Sequence, residues 1–402
     1  MQANPNYLTK GSLLPQEEML EVGRRKKNIT IGIPKEILKD ENRVALTPLN
    51  VELLVNNGHH VVVESNAGKA ANFDDNVYSE HGAEIALSRN EVFKCDVILK
   101  VAPLSLEEID LLESNHIVIS SLHAAFQTEE YIRKLIQKRV TALAFEYMKD
   151  ASGHYPVVRY MSQIAGSSSI LIAAEYLNTV HAGKGEMLGG ITGITPSEVV
   201  IIGAGTAGEF AARTAIGLGA FVKVFDDSVE NLRRLQENLG RNVFTSLLQP
   251  LVLKNNIKNA DVVIGALRST NMHRRFVVTE EMVRCMKKGS VIVDISIDEG
   301  GCVETSRLTS HSNPVYIEHG VVHYCVPNIA SRVARTASYA LSNIFGPILL
   351  DIGKAGDIKQ LLKEDAGVRK GVYMYNGILT NPYIGSMFDI PSKDIELLMA
   401  AF

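Results

Sequence analysis

Residues 197–227, SEVVIIGAGTAGEFAARTAIGLGAFVKVFDD, limit the fold of this chain more tightly than any other stretch. An apolar run leads into Gly203, Gly205 and Gly208, spaced G-x-G-x-x-G, and a helical segment and a second apolar run follow. Asp226 ends that second run, eighteen residues past the last glycine. Gly203 lets the chain turn sharply, Gly205 lets backbone approach a pyrophosphate, and Gly208 lets the helix pack close to the strand. The helix N-terminus offers unpaired N–H groups to phosphates. An acid at Asp226 accepts hydrogen bonds from an adenosine ribose and repels a 2′-phosphate, so NAD is expected rather than NADP. Asp227 stands beside it, and the sequence leaves open which carboxylate faces the ribose.

The same alternation extends in both directions. Apolar runs at 29–33, 59–64, 95–101, 116–122 and 140–146 read as strands with helical segments between them, and runs at 260–267, 290–298 and 314–326 read likewise. Strands alternating with helices predict βαβ units and parallel sheets. A chain of 402 residues exceeds one ordinary domain. The expected architecture is α/β with two domains, each a mainly parallel sheet flanked by helices, the second a Rossmann dinucleotide-binding fold. The first domain is placed at 29–157 and the second at 158–334, with 335–402 returning to complete the first. Long helices rich in small residues are expected at 161–177 and from Arg335 onward. Residues 1–28 form an extension in which 15–27 read as a short charged helix.

Several function classes are excluded at this stage. The formal net charge of -4 gives no electrostatic reason to expect nucleic acid or an anionic membrane surface. No stretch of eighteen apolar residues predicts a membrane span, and the N-terminus lacks the apolar core of a secretory signal, so a cytoplasmic protein is expected. Cys95, Cys285, Cys302 and Cys325 lie far apart without CxxC spacing, so reduced thiols are expected rather than a disulfide framework or a metal site.

Six motifs occur in a telling order: GIPKEILKDENRVALTP (32–48), SSLHAA (120–125), MSQIAG (161–166), GAGTAG (203–208), VIVDISIDEGG (291–301) and HGVVHYCVPN (319–328). In these the chain resembles the alanine dehydrogenase and transhydrogenase α-subunit family, from about residue 29 to 353. The resemblance implies that the first domain holds an amino acid, the second holds NAD, and the reaction occurs in the cleft between them. It places the carboxylate-binding arginine on Arg43, the catalytic histidine on His123 and the catalytic aspartate on Asp298. Alone, Arg43 reads as a surface partner of Glu41 and His123 as a structural histidine; the motifs reverse both readings. Asp294, on the same strand as Asp298, reads as structural. Ser162, Thr206, Ala207, Ala266, Leu267, Val326 and Asn328, within the stretch Val326–Ile329, fall on positions that touch the dinucleotide in relatives.

The activity so implied is reversible oxidative deamination of a small L-amino acid, L-alanine first, to pyruvate and ammonia. A homo-oligomer, hexamer or dimer, is implied as well. The chain departs from the pattern at one substrate position. The family's dehydrogenases carry K-V-K-E-P, whose second lysine contacts the substrate, whereas this chain reads K-V-A-P with Ala102 there. Lys100 lies two residues away, on the same face of an ideal strand but one step deeper. The transhydrogenase subunits also lack that lysine. The segment 267–276 and the loop after Asp226 drift from the common pattern too. Three alternatives stay open: a dehydrogenase for another amino acid, a transhydrogenase-like NAD-binding subunit with a membrane partner, and a catalytically dead regulatory protein.

Overall fold

The computed structural model describes residues 28–181, 183–267 and 276–400; the charged segment 15–27 and most of 267–276 lie outside the described residues. Two sheets organise the chain. In the first, β1 (Thr30–Ile33), β2 (His60–Glu64), β3 (Glu84–Ala86), β4 (Val97–Leu99), β5 (Ile117–Ser120) and β6 (Thr141–Ala144) run parallel in the order β6-β5-β4-β1-β2-β3. The second contains β7 (Glu198–Ile202), β8 (Phe221–Asp226), β9 (Phe244–Leu247), β10 (Val262–Gly265), β11 (Val291–Asp294), β12 (Val315–Glu318) and β13 (Val321–Tyr324). Its order is β12-β13-β11-β10-β7-β8-β9, with only the β12–β13 pair antiparallel. A C-terminal hairpin, β14 (Val372–Tyr375) and β15 (Ile378–Leu379), adds antiparallel to the β6 edge of the first sheet.

A parallel strand buried on both faces needs apolar side chains pointing both ways. Ile31, Ile33, Val61, Val63, Val97 and Leu99 face one core of the first sheet, while Val62, Ile98, Val118 and Ala142 face another. The helix Ala334–Ala355 lays Leu341, Phe345 and Leu349 on the first of these cores. In the second sheet, the helices Pro156–Leu177 and Thr206–Gly217 cover one face with small residues such as Ala165, Ala173, Ala211 and Ala215. Those two helices approach so closely that a Cβ on Gly166 would stand 2.1 Å from the Ala207 carbonyl oxygen.

Three expectations need correction. The run 290–298 is not one strand: β11 stops at Asp294, whose carboxylate accepts the Ser296 amide at 3.1 Å, and Ile295–Glu299 curls into a 3-10 turn. Asp298 therefore sits on that turn rather than at a strand end. The run 314–326 is a hairpin, reversing at His319 and Gly320, both with positive φ. The short strands β3 and β9 add to the strands expected from apolar runs; β9 is only half-buried, so its residues carry little apolar signal.

Candidate active site

Strand order reverses between β4 and β1 in the first sheet and between β10 and β7 in the second. Open α/β sheets bind ligands outside the carboxyl ends of strands at such points. The segments leaving those ends are the ones singled out from the sequence. Glu36, Glu41 and Arg43 follow β1, Lys100 to Ser105 follow β4, and His123 follows β5. On the other sheet the glycine turn follows β7, Ala266 and Leu267 follow β10, and Asp298 follows β11.

The glycine turn is shaped for a close ligand. A Cβ on Gly208 would lie 1.8 Å from the Gly203 carbonyl oxygen, and a Cβ on Gly203, at φ 108°, would lie 2.4 Å from that of Ala266. Both positions therefore accept only glycine, and the second shows Ala266 and Leu267 packed along the turn. At Gly205 nothing lies within 4 Å of the Cβ position. Gly205 also precedes the Thr206–Gly217 helix without a side-chain cap, leaving the first N–H groups of Thr206, Ala207 and Gly208 toward that space. An open cradle over uncapped helix amides fits a dinucleotide pyrophosphate.

Asp226 is held within the protein. It is buried, and its Oδ2 accepts the Ala204 amide at 2.6 Å, while Oδ1 accepts the Ser228 amide at 2.8 Å and the Asn231 side chain at 3.1 Å. The carboxylate rivets the glycine turn to the end of β8. Three of its roughly four acceptor sites are taken, and Asp227 beside it is exposed. Ser162 lies half-buried one residue beyond Met161 on the Pro156–Leu177 helix.

Arg43 is gripped by Glu41: Nε donates to Oε1 at 2.7 Å and Nη2 to Oε2 at 2.5 Å. The pairing with Glu41 that the sequence suggested is present, but it is not a surface pair, because the two side chains are only 12% and 2% exposed. Burial disfavours the Glu41 charge, and Arg43 outweighs it, holding the carboxyl below its ordinary range. A guanidinium has a second edge, Nη1 and Nη2, with hydrogens pointing away from Nε. Among the described residues Nη1 donates to Met161 Sδ at 3.3 Å, and this second edge is the one Glu41 leaves for a carboxylate to approach. The backbone around Arg43 is pinned from far along the chain. The amides of Asn42, Val44 and Thr47 donate to the hydroxyls of Ser331, Ser338 and Ser342 at 2.8, 2.9 and 2.9 Å.

His123 is exposed and left-handed, at φ 50° and ψ 53°. A non-glycine residue there costs on the order of 1–3 kcal/mol, and Glu146 holds it in place. Its Oε1 accepts the amides of Leu122 and His123 at 2.8 and 3.0 Å. Asp298 accepts the Asn328 amide at 2.9 Å, and the Asn328 side chain donates to Glu41 at 2.9 Å. One asparagine thus ties the carboxylate of the second sheet to the arginine clamp of the first. Solvent reaches Asp298, yet protein crowds its carboxyl: burial lifts its pKa, and the Asn328 amide, His123 and Arg43 draw it back. Asp298 therefore lies within electrostatic reach of both Arg43 and His123. A pocket of about 450 Å³ opens beside His123, lined also by Leu38, Lys100, Leu104 and Phe126, which is ample for a small organic acid.

Lys100, on the wall of that pocket, is engaged by the protein itself. β4 ends at Leu99, and the buried Lys100 ammonium donates to Glu108 at 2.8 Å and to the Pro103 carbonyl at 3.2 Å. Ala102 is buried, its amide 3.3 Å from Glu36 Oε1. Glu36, inside the first motif, had no role assigned from sequence. No local signal in the sequence marks it; its place just past β1, at the reversal of strand order, emerges only in the fold. Asp294 is buried and accepts the amides of Ser296, Cys302 and Val303, a purely internal role. Val326 is buried directly before the Asn328 turn. No described helix is long and apolar enough to cross a membrane, and no group of three or more His, Cys, Asp or Glu among the described residues is placed to hold a metal ion.

Known proteins resemble this chain in sequence and in fold. Residues 32–165 match the family description "Alanine dehydrogenase/PNT, N-terminal domain", and residues 169–382 match "Alanine dehydrogenase/PNT, C-terminal domain". The chain is 39% identical to an alanine dehydrogenase of Methanococcus maripaludis over 368 residues, covering 91% of this chain and 98% of that protein. It is 38% identical to alanine dehydrogenase 2 of Staphylococcus aureus, with the same coverage of both chains. Among solved structures, an L-alanine dehydrogenase superposes with a TM-score of 0.85 at 35% identity, covering 90% of this chain and all of that one. A transhydrogenase from Sinorhizobium meliloti superposes with a TM-score of 0.75 at 26% identity, covering 88% and 99%. Matched along nearly its whole described length, the chain belongs to the alanine dehydrogenase/PNT family.

Proposed function

We propose that this protein is an NAD-dependent L-alanine dehydrogenase, catalysing reversible oxidative deamination of L-alanine to pyruvate and ammonia. The observation that carries the reading is that Asp298 feels the charges of Arg43 and His123 and is tied through Asn328 to Glu41, the partner of Arg43. The likeness to alanine dehydrogenases supports it. NAD, when bound, supplies the acceptor for the hydride leaving the substrate Cα.

The chain's own residues account for the rest. The free edge of Arg43 receives the substrate carboxylate through two parallel hydrogen bonds and fixes its orientation. His123 trades a proton with the amino or carbonyl group, because an imidazole ring can both donate and accept a hydrogen bond. Asp298, with its raised pKa, positions water and exchanges protons as the imine hydrates and ammonia leaves. In this reading the first sheet, with the hairpin returned by residues 372–379, holds the amino acid, and the second holds NAD. The working form is a homo-oligomer, hexamer or dimer, in the cytoplasm, as the family resemblance implies.

The test is spectrophotometric: alanine plus NAD in one direction, pyruvate plus ammonium plus NADH in the other, each followed at the nicotinamide absorbance. Turnover in both is expected. A protein that binds NADH but turns over neither pair overturns the reading. Ala102 favours one rival, a transhydrogenase-like NAD-binding module. Such a module would bind NADH and ignore alanine and pyruvate in the same assay.

A further inference from the structure

Five side chains of the first domain form a row of alternating charge. Arg89 joins Glu64 and Glu108, each at 3.1 Å, and Lys100 joins Glu108 at 2.8 Å to Glu36 at 3.5 Å. The row therefore holds three acids and two bases, and its surplus acid falls at Glu36, which has the longest contact. The Glu36 side chain is only 6% exposed, and Oε2 has no hydrogen-bond partner among the described residues. Oε1 accepts the amides of Val101 at 2.6 Å and Ala102 at 3.3 Å. This fixes the carboxyl against the residue that is a substrate-contacting lysine in the family's dehydrogenases. Burial pushes the carboxyl up to about 7; Lys100 pulls it down, and Glu41 and Glu108 push it further up. Glu36 and Arg43 are near enough for each to bear on the other's charge.

We propose that Glu36 stands in for the absent lysine as a proton-carrying hydrogen-bond donor to the substrate carboxylate, so that capture of the amino or 2-oxo acid takes up a proton at Glu36 Oε2. The inference rests on the reading that this cleft holds a carboxylate against Arg43. An ionised Glu36 would set a second negative charge beside the substrate carboxylate in a poorly solvated site. A protonated Glu36 removes that repulsion and presents an O–H, which makes a short, charge-assisted bond to the carboxylate. The proton comes from solvent; the other charged groups facing Glu36 are Lys100, Glu108, Glu41 and Arg43. Below pH 7 Glu36 already carries its proton and binding takes up little there; above it, uptake rises toward one proton per ligand.

Calorimetric titration of pyruvate into the NADH-saturated protein, in two buffers of different ionisation enthalpy, counts that proton. At pH 8 the unaltered protein is expected to take up about one proton more than Glu36→Gln, and at pH 6 the two should agree. Ala102→Lys supplies the missing cation; it should lose the same proton uptake and bind pyruvate at least about tenfold more tightly at pH 8. Where one variant does not fold, the other decides. Equal uptake by the unaltered protein and either variant at pH 8 overturns the proposal alone. Failure of pyruvate to bind the NADH-loaded protein removes the dehydrogenase reading, and the proposal with it.

Discussion

The two halves of the cleft are built from different materials. The dinucleotide half is made of backbone: three glycines, uncapped helix amides and one carboxylate that rivets the turn. The amino-acid half is made of charged side chains that first satisfy one another, Arg43 with Glu41 and Lys100 with Glu108, and offer the ligand what is left. A backbone site tolerates almost no change in shape but is indifferent to charge balance. A side-chain site can lose a lysine at position 102 and keep its fold, provided that some neighbour adjusts its proton.

The sharpest way to break this comparison is His123→Ala. Turnover should fall by about a thousandfold or more, the upper range for one acid–base group, while NADH titration by fluorescence stays unchanged. Near-normal turnover would remove His123 from the chemistry. The glycines probe the other half. Gly208→Ala forces a Cβ within 1.8 Å of a carbonyl oxygen, and chemical denaturation should show a loss of about 3 kcal/mol or more. Gly205→Ala meets nothing, so its melting temperature should hold while NADH affinity drops about tenfold or more. Equal effects of the two alanines would show that Gly205 faces no ligand.

Charge comes next. Unfolded Glu36 titrates near 4.5 and folded Glu36 at about 7. Between those values the unfolded chain releases a proton that the folded one keeps, so this group's contribution to stability falls as pH rises. Relative to Glu36→Gln, the unaltered protein should lose about 2 to 3 kcal/mol of unfolding free energy between pH 5 and pH 8. A constant difference would refute the burial of an uncompensated acid there. The smallest effect is expected from Ser338→Ala, which strands the buried Val44 amide at a cost of about 1 to 2 kcal/mol. The KM for alanine should rise more than kcat falls, because the segment carrying Arg43 loosens; an unchanged KM would disconnect that serine from the clamp.

The same contrast explains what could be read in advance. The glycine turn and its acid were visible because steric rules act over a few neighbouring residues. Arg43, His123 and Asp298 were visible only through family motifs, since nothing local distinguishes a clamp arginine from one paired with Glu41. The strand at 290–298 was overextended because apolar periodicity continues through Ile295 and Ile297, while a single hydrogen bond from the Ser296 amide to Asp294 ends it. The engagement of Lys100 is not legible in the sequence because its partner, Glu108, arrives from the next helix. Glu36 went unread because its significance is an imbalance among five charges, which exists only once the chain is folded.

The serine acceptors behind Arg43 set an order of assembly. Ser331, Ser338 and Ser342 lie 289, 294 and 295 residues beyond the amides they receive. At ribosomal speeds, about 15 to 60 seconds separate the synthesis of the arginine segment from that of its last anchor. The strands of the second sheet, all drawn from residues 198–324, are complete before those anchors exist. A nascent chain is thus equipped to recognise its nucleotide while still blind to its amino acid, and the clamp matures only when the long C-terminal helix docks.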